Sequence, residues 1–244
     1  MSKPLQHWKV LPHGKLEKID DNILTVTGDI PMPLMKLPRR MTVVRLKGKR
    51  LVVFNGIALD EDEMATLDAF GRPTYLIVPS DKHRLDAKIW KNRYPEMRVV
   101  APEGSRAAVE KVVPVDTTAP RFDDPKVQFV TVPGTRNREA ALVAGGPKGT
   151  TLVLNDIVGN IRNASGVGGV LLGMFGFAGK QAQIPKVVKL AMIKDKAALR
   201  TQLLEWAKIG SLKRILVSHG EAIVDNPRQV LRDLAASLGQ GSNR

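Results

Sequence analysis

Six side chains able to do acid–base or electrostatic chemistry sit where apolar runs end. "TYLIV" (74–78) passes into Pro79, Ser80, Asp81, Lys82, His83 and Arg84. "TTLVLN" (150–155) passes into Asp156, and "RILVS" (214–218) into His219 and Gly220. A carboxylate or imidazole at the end of a buried strand lies at the mouth of the core, where partial shielding from water magnifies its charge. Three such ends meeting in one place would make a constellation. Each residue also has a plainer reading. Asp156 would cap the following segment, His219 would bond a backbone carbonyl beside the turn at Gly220, and His83 would be a surface histidine at a helix start. Their shared position at strand ends favours the functional reading. His7 and His13 lie in a polar N-terminal segment and read as structural or exposed.

The elements that must position these ends are legible. "NILTVTG" (22–28), "MTVVRL" (41–46) and "RLVVFN" (50–55) have strand composition. "DEDEMATLDAFG" (60–71) reads as a helix, its acidic first turn suiting the dipole and Gly71 ending it. "TYLIV" is apolar throughout, as in a strand covered on both faces. A helix is expected over 84–94, with Leu85, Ile89 and Trp90 on its buried side, then a strand at 97–101 and a short helix at 105–112. A polar connector, 115–126, separates this half from a second. Strands are expected at 127–132, 138–144, 150–155 and 214–218. A helix over 195–208 turns Leu199, Leu203 and Trp206 to one face, and another over 226–239 opens with an Asn cap and Pro. Strand runs followed by helix–strand units, done twice, predict an α/β fold: two sheets face to face with helices outside. This four-layer αββα sandwich forms one domain over 1–240, with halves at 20–114 and 126–239.

Composition narrows the chemistry. The chain has 244 residues, 43% hydrophobic and only 5% aromatic, so Val, Leu, Ile and Ala build most of the interior. It has no cysteine, which excludes disulfides, thiolate metal sites and cysteine nucleophiles. Any metal must be held by His, Asp or Glu. The formal net charge of +14 suits anionic partners. The charge is spread along the chain, with clusters at "PRR" (38–40), "KGKR" (47–50) and "KNR" (91–93), and reads as a solvated basic surface rather than a nucleic-acid face. The N-terminus has no apolar run of signal-peptide length, so the cytoplasm is the expected compartment. The longest apolar run, "GVGGVLLGMFGFAG" (166–179), is glycine-rich and shorter than the ~20 residues of a spanning helix.

The two-half layout with these strand ends resembles the metallo-β-lactamase fold of metallo-hydrolases. It resembles most a bacterial branch of that fold without an assigned reaction. The likeness is carried by "MTVVRL", by "LIVPSDKHRLDAKIWKNRYPEMRVVAPEG", by "REAALV" with "TTLVLNDIVGNI", and by "RILVSHGE", and it covers roughly 20–225. The family's metal-binding stretch reads His-x-His-x-Asp-His after a buried strand. Its matching positions here are Pro79, Asp81, His83 and Arg84. The family's next ligand, a His after Pro-Gly, becomes Thr135 in "VPGTRN". Its bridging Asp is present as Asp156 and its final His as His219. Pro79 and Thr135 supply no imidazole, so the resemblance implies a degraded dinuclear site.

Asp81, His83, Asp156 and His219 still offer two carboxylates and two imidazoles, a set able to hold one divalent metal: zinc, iron or manganese. Arg84 argues the other way. Standing at a ligand position, a guanidinium repels a cation and can replace it by pairing with Asp156, which favours a centre without metal. Glu139 is either a further acid or a surface strand residue. The segment 158–186 reads as an apolar lid, as a glycine-containing helix packed on the sandwich, or as a homodimer contact.

Three functions follow. The first is a fold relative that binds an anionic small molecule through Arg84 and nearby lysines without catalysis. The second is a hydrolase with one metal at His83, Asp156 and His219, acting on an ester, amide or phosphoester, with Arg84 stabilising the anion formed. The third, a nucleic-acid-binding protein, is opposed by the scarcity of aromatics for base stacking.

Overall fold

The computed structural model describes residues 3–32, 35–162 and 166–239. Two sheets stack face to face. The first takes β1 (Glu17–Asp20), β2 (Ile23–Met32), β3 (Met35–Arg45), β4 (Arg50–Phe54), β5 (Arg72–Ile77) and β6 (Arg98–Val100), in that order across the sheet. The second takes β7 (Val127–Thr131), β8 (Ala140–Gly146), β9 (Gly149–Asn160) and β10 (Leu212–Gly220), in the order β10-β9-β8-β7. Each sheet comes from one half of the sequence, as the doubled strand–helix pattern predicts. Parallel pairing of β4 with β5 and of β5 with β6 follows from the helices in between, α1 (Glu61–Phe70) and α2 (Ala87–Arg93).

Strand alternation makes the layers. In β4, Leu51 and Val53 pack under α1 and α2 while Val52 and Phe54 face the other sheet. In β10, Ile215 and Val217 pack under α6 (Lys196–Ala207) and α7 (Pro227–Gly239), with Leu216 turned inward. The result is one apolar core between the sheets and one beneath each helical layer. At about 1.5–3 kcal/mol per fully buried Val, Leu, Ile or Phe, these cores dominate the stability.

The helices keep their expected ends. The Asp60 side chain accepts from Glu63 N at the start of α1, and Gly71 N donates to Leu67 O at its close. Asp195 accepts from Ala198 N to open α6, which buries Leu199, Leu203 and Trp206 as the spacing predicts. In α7 it is the Asn226 carbonyl that accepts from the N–H groups of Gln229 and Val230. Among the described residues no helix is long and apolar enough to cross a membrane.

The short helix expected over 105–112 spans only α3 (Arg106–Val109), and three further differences adjoin the strand ends. The helix expected over 84–94 is shorter, α2 starting only at Ala87, and the residues before it form a turn, closed by His83 N donating to Ser80 O (3.3 Å) and Lys82 N to Ser80 Oγ (3.2 Å). Strand β9 does not stop at Asn155 but continues to Asn160. It bulges on the way: Leu154 pairs with Val217 and the next pair is Gly159 with His219, so residues 155–158 stand opposite Ser218 alone. The stretch 158–186 holds a further helix, α4 (Gly166–Phe175), after which 177–183 folds back on the end of β9. There Gly159 and Gln183 exchange backbone hydrogen bonds at 2.9 and 3.0 Å. Residues 163–165 of that stretch lie outside the described residues. Helix α5 (Lys186–Ala191) follows.

Candidate metal centre

The three strand ends do converge. The turn after β5 carries His83, the bulge in β9 carries Asp156, and the end of β10 carries His219. Asp156 Oδ1 lies 2.9 Å from His83 Nε2 and 3.1 Å from His219 Nε2, and the two Nε2 atoms are 3.3 Å apart. The His83 and His219 side chains are only 9% and 5% exposed. Gly220 makes the approach of β9 and β10 feasible: its φ is +114°, and a Cβ there would fall 2.2 Å from Asn160 O.

The outer nitrogen of each ring is tied. His83 Nδ1 lies 3.1 Å from Asn55 Oδ1, and Asn55 Nδ2 donates to Arg40 O (2.9 Å), which fixes the amide with its oxygen toward the ring. Asn55 itself ends β4 in a left-handed conformation (φ 58°), which asparagine tolerates well. His219 Nδ1 donates to the Pro38 carbonyl (2.6 Å). Both Nδ1 atoms therefore hold the proton in the neutral rings, and both Nε2 atoms present lone pairs to a carboxylate oxygen. Three acceptors in such contact need a cation among them, either a proton or a metal ion. The donor set fits a metal: two imidazoles and a carboxylate, the second nitrogen of each ring anchored. Two atoms about 2.1 Å from one tetrahedral ion lie about 3.4 Å apart, close to the spacing found.

With a proton rather than a metal among them, the same groups form an ion pair. Burial pushes the Asp156 carboxyl up, but positive charge on the imidazoles more than offsets this and holds it well below the usual carboxylate range. Burial lowers the His219 imidazole, yet the Asp156 carboxylate and the Pro38 carbonyl leave it raised on balance. Beneath them Glu139 is fully buried, not a surface strand residue. Its Oε2 accepts from Asp156 N (3.0 Å), and Asn155 Nδ2 donates to both carboxyl oxygens at 3.2 and 3.1 Å. Burial and the neighbouring Asp156 charge drive its pKa well above the ordinary value, and its Oε2 supports the Asp156 backbone.

Two expected participants are placed elsewhere. Arg84 does not pair with Asp156: its Nη1 donates to the Ala108 carbonyl (2.6 Å), while both imidazoles occupy Asp156. Asp81 lies beside Lys82, at 3.5 Å, and outside the cluster of His83, Asp156 and His219, whose ligand atoms all lie within 4.8 Å of one another. The turn conformation of 80–84 is the reason, since it sends successive side chains in different directions. Thr135 is buried with its hydroxyl donating to Val132 O (2.7 Å). Asp156 faces the imidazoles rather than capping a helix.

In front of the centre opens a cavity of about 300 Å³. Ile30, Leu37 and Phe177 give it apolar walls, and Lys82 and Arg84 line it on the cationic side. Phe177 stands edge-on to His219 with ring centroids 5.5 Å apart. The "PRR" cluster, read as solvated, is inside the protein. Arg39 is buried against Asp86, whose Oδ1 accepts from Ala58 N (3.1 Å). Arg40 crosses between the sheets, donating to Val217 O (3.2 Å) and Gly220 O (3.1 Å) on either side of His219. Asn55 was open to the strand-end rule, because "VVFN" also ends an apolar run in a polar residue. Arg39, Arg40 and Phe177 gave no comparable local signal.

No protein-family model matches the sequence, and no curated protein sequence does. Solved structures do match. The metallo-β-lactamase FIM-1 from Pseudomonas aeruginosa, in a mono-zinc form, superposes with a TM-score of 0.60 at 13% identity, over 95% of this chain and 98% of that one. The metallo-β-lactamase from Erythrobacter litoralis, with β-mercaptoethanol in its active site, gives 0.62 at 11% identity, over 94% and 100%. The metallo-β-lactamase from Hirschia baltica gives 0.60 at 11%, over 93% and 98%. With its paired sheets and outer helices, the chain is a metallo-β-lactamase-fold protein. At these identities the likeness concerns the fold.

Proposed function

We propose that this protein is a hydrolase using a single divalent metal, held by His83, Asp156 and His219, and acting on an ester, amide or phosphoester that carries a negative charge. The observation supporting this is the convergence of two Nε2 lone pairs and a carboxylate oxygen, with both rings held from behind by Asn55 and the Pro38 carbonyl. One metal rather than two suits Pro79, which has no donor side chain, and Thr135, whose hydroxyl is already committed. Such a metal, when bound, would supply Lewis-acid polarisation of the scissile group and a nucleophile at neutral pH. Asn55 and Pro38 hold the imidazoles in the metal-ready tautomer, and Glu139 holds the Asp156 backbone. Phe177, Leu37 and Ile30 exclude water from the apolar part of the substrate, and Lys82 and Arg84 attract its anionic part.

A second reading keeps the same pocket without catalysis. Its support is that Asp156 already sits 2.9 and 3.1 Å from two imidazoles, an arrangement that one added proton satisfies. The centre is then the remnant of a degraded dinuclear site, and the cavity binds an anionic small molecule. Metal analysis of purified protein, with chelator-treated protein as control, separates the two. A stoichiometric metal whose removal lowers the melting temperature supports the hydrolase. Metal-free protein that gains neither metal nor thermal stability when titrated with zinc, iron or manganese sinks it.

A further inference from the structure

Helix α4 is the least protein-like surface of the molecule. Its sequence, "GVGGVLLGMF", contains no polar side chain, and Val170, Met174 and Phe175 are 64%, 67% and 47% exposed. Leu190, in α5, is 86% exposed. The two helices adjoin: a Cβ at Gly176 would come within 2.6 Å of the Lys186 backbone nitrogen. Lys186 and Leu190 are one helical turn apart and both exposed, so α5 presents a cationic and an apolar group close to the end of α4.

Charge says what covers this face. From Ile157 to Lys194 the chain has no Asp or Glu, and its charged residues are Arg162, Lys180, Lys186, Lys189 and Lys194. The proximity of Lys196 adds to burial in lowering the Lys189 pKa, a sign of local positive potential. A second copy of the chain would set these cations against their own equivalents, because a twofold interface pairs a patch with itself. A bare apolar helix whose neighbours along the chain are cationic is instead complementary to an anionic lipid surface, apolar side chains entering among the acyl chains and ammonium groups meeting the headgroups.

We propose that α4 and α5 dock this protein onto anionic membranes, with Val170, Met174, Phe175 and Leu190 inserting and Lys186 and Lys194 pairing with lipid headgroups. Phe177, two residues past α4, lines the cavity, so the docking helix and the pocket share one stretch of chain. The inference stands independently of whether the centre holds metal.

Co-sedimentation with vesicles tests it, using phosphatidylcholine alone or with about 30% phosphatidylserine. The expected result is binding to the serine-containing vesicles only, weakened by salt. The surface substitutions Met174→Ser with Phe175→Ser, and separately Lys186→Glu with Lys194→Glu, should each reduce the bound fraction about tenfold or more. Wild-type protein that ignores the anionic vesicles, or variants that sediment like wild type, would overturn the proposal. So would a concentration-dependent dimer that Met174→Ser with Phe175→Ser abolishes in the absence of vesicle binding, which would assign the face to a second copy.

Discussion

Two buried polar groups flank the cavity, and they are built in opposite ways. In the Arg39–Asp86 pair the charges cancel within the protein, and the pair fastens three segments: β3, the chain after β4 and the entry to α2. Its loose ends, Nε and Nη2 of Arg39, are sealed from solvent. In the His83–Asp156–His219 group the outward atoms are the satisfied ones, and the atoms that face inward lack a cation. The pair is a clamp. The triad is a receptor. Their difference shows that burial of charge does not by itself mark a site; the direction of the unsatisfied atoms does.

The sharpest way to break this comparison is Asp156→Ala. It removes the one anionic ligand and should lower metal affinity by more than about a hundredfold, measured by titration of the chelator-stripped protein. Unchanged affinity would move the centre elsewhere. Next is Arg39→Met, which strands the Asp86 carboxylate in the core. Burial already raises the Asp86 pKa despite the Arg39 charge, so the expected cost is about 3–5 kcal/mol in urea unfolding. Combining it with Asp86→Leu should recover part of that loss. A double variant as unstable as the sum of the singles would deny that the two residues act as a clamp. Asn55→Leu removes the anchor of His83 and should weaken metal binding about 10–100-fold while leaving the ligands in place. An equal loss of stability with no change in affinity would make Asn55 a strand terminator only. The smallest effect belongs to Glu139→Gln. Burial favours the protonated acid, so a neutral amide of nearly the same shape should shift stability by less than about 1 kcal/mol. A large loss would mean that the carboxylate is ionised in the folded protein.

Much of the fold was legible before any coordinates. The unbroken apolar run "TYLIV" predicts a strand covered on both faces, and the spacing of Leu199, Leu203 and Trp206 predicts a helix with one buried side; both are seen. The strand-end rule located His83, Asp156 and His219, because it depends only on where an apolar run stops. It erred on Arg84 and Asp81. Neighbours in sequence share a strand end but not a direction, and a turn decides which of them faces inward. Arg39 and Arg40 were misread because a run of arginines carries no local sign of burial. Their partners are Asp86, Val217 and Gly220, far along the chain.

What the sequence determined by itself is the layered plan and the residue types at the strand ends, since period-two and period-3.6 burial are properties of neighbouring residues. The tertiary structure alone decided which end residues meet. The β9 bulge, the crossing of Arg40 between sheets and the return of 177–183 onto β9 each join segments that local preference cannot relate. A site of atoms 3 Å apart exists only once those long-range closures are made.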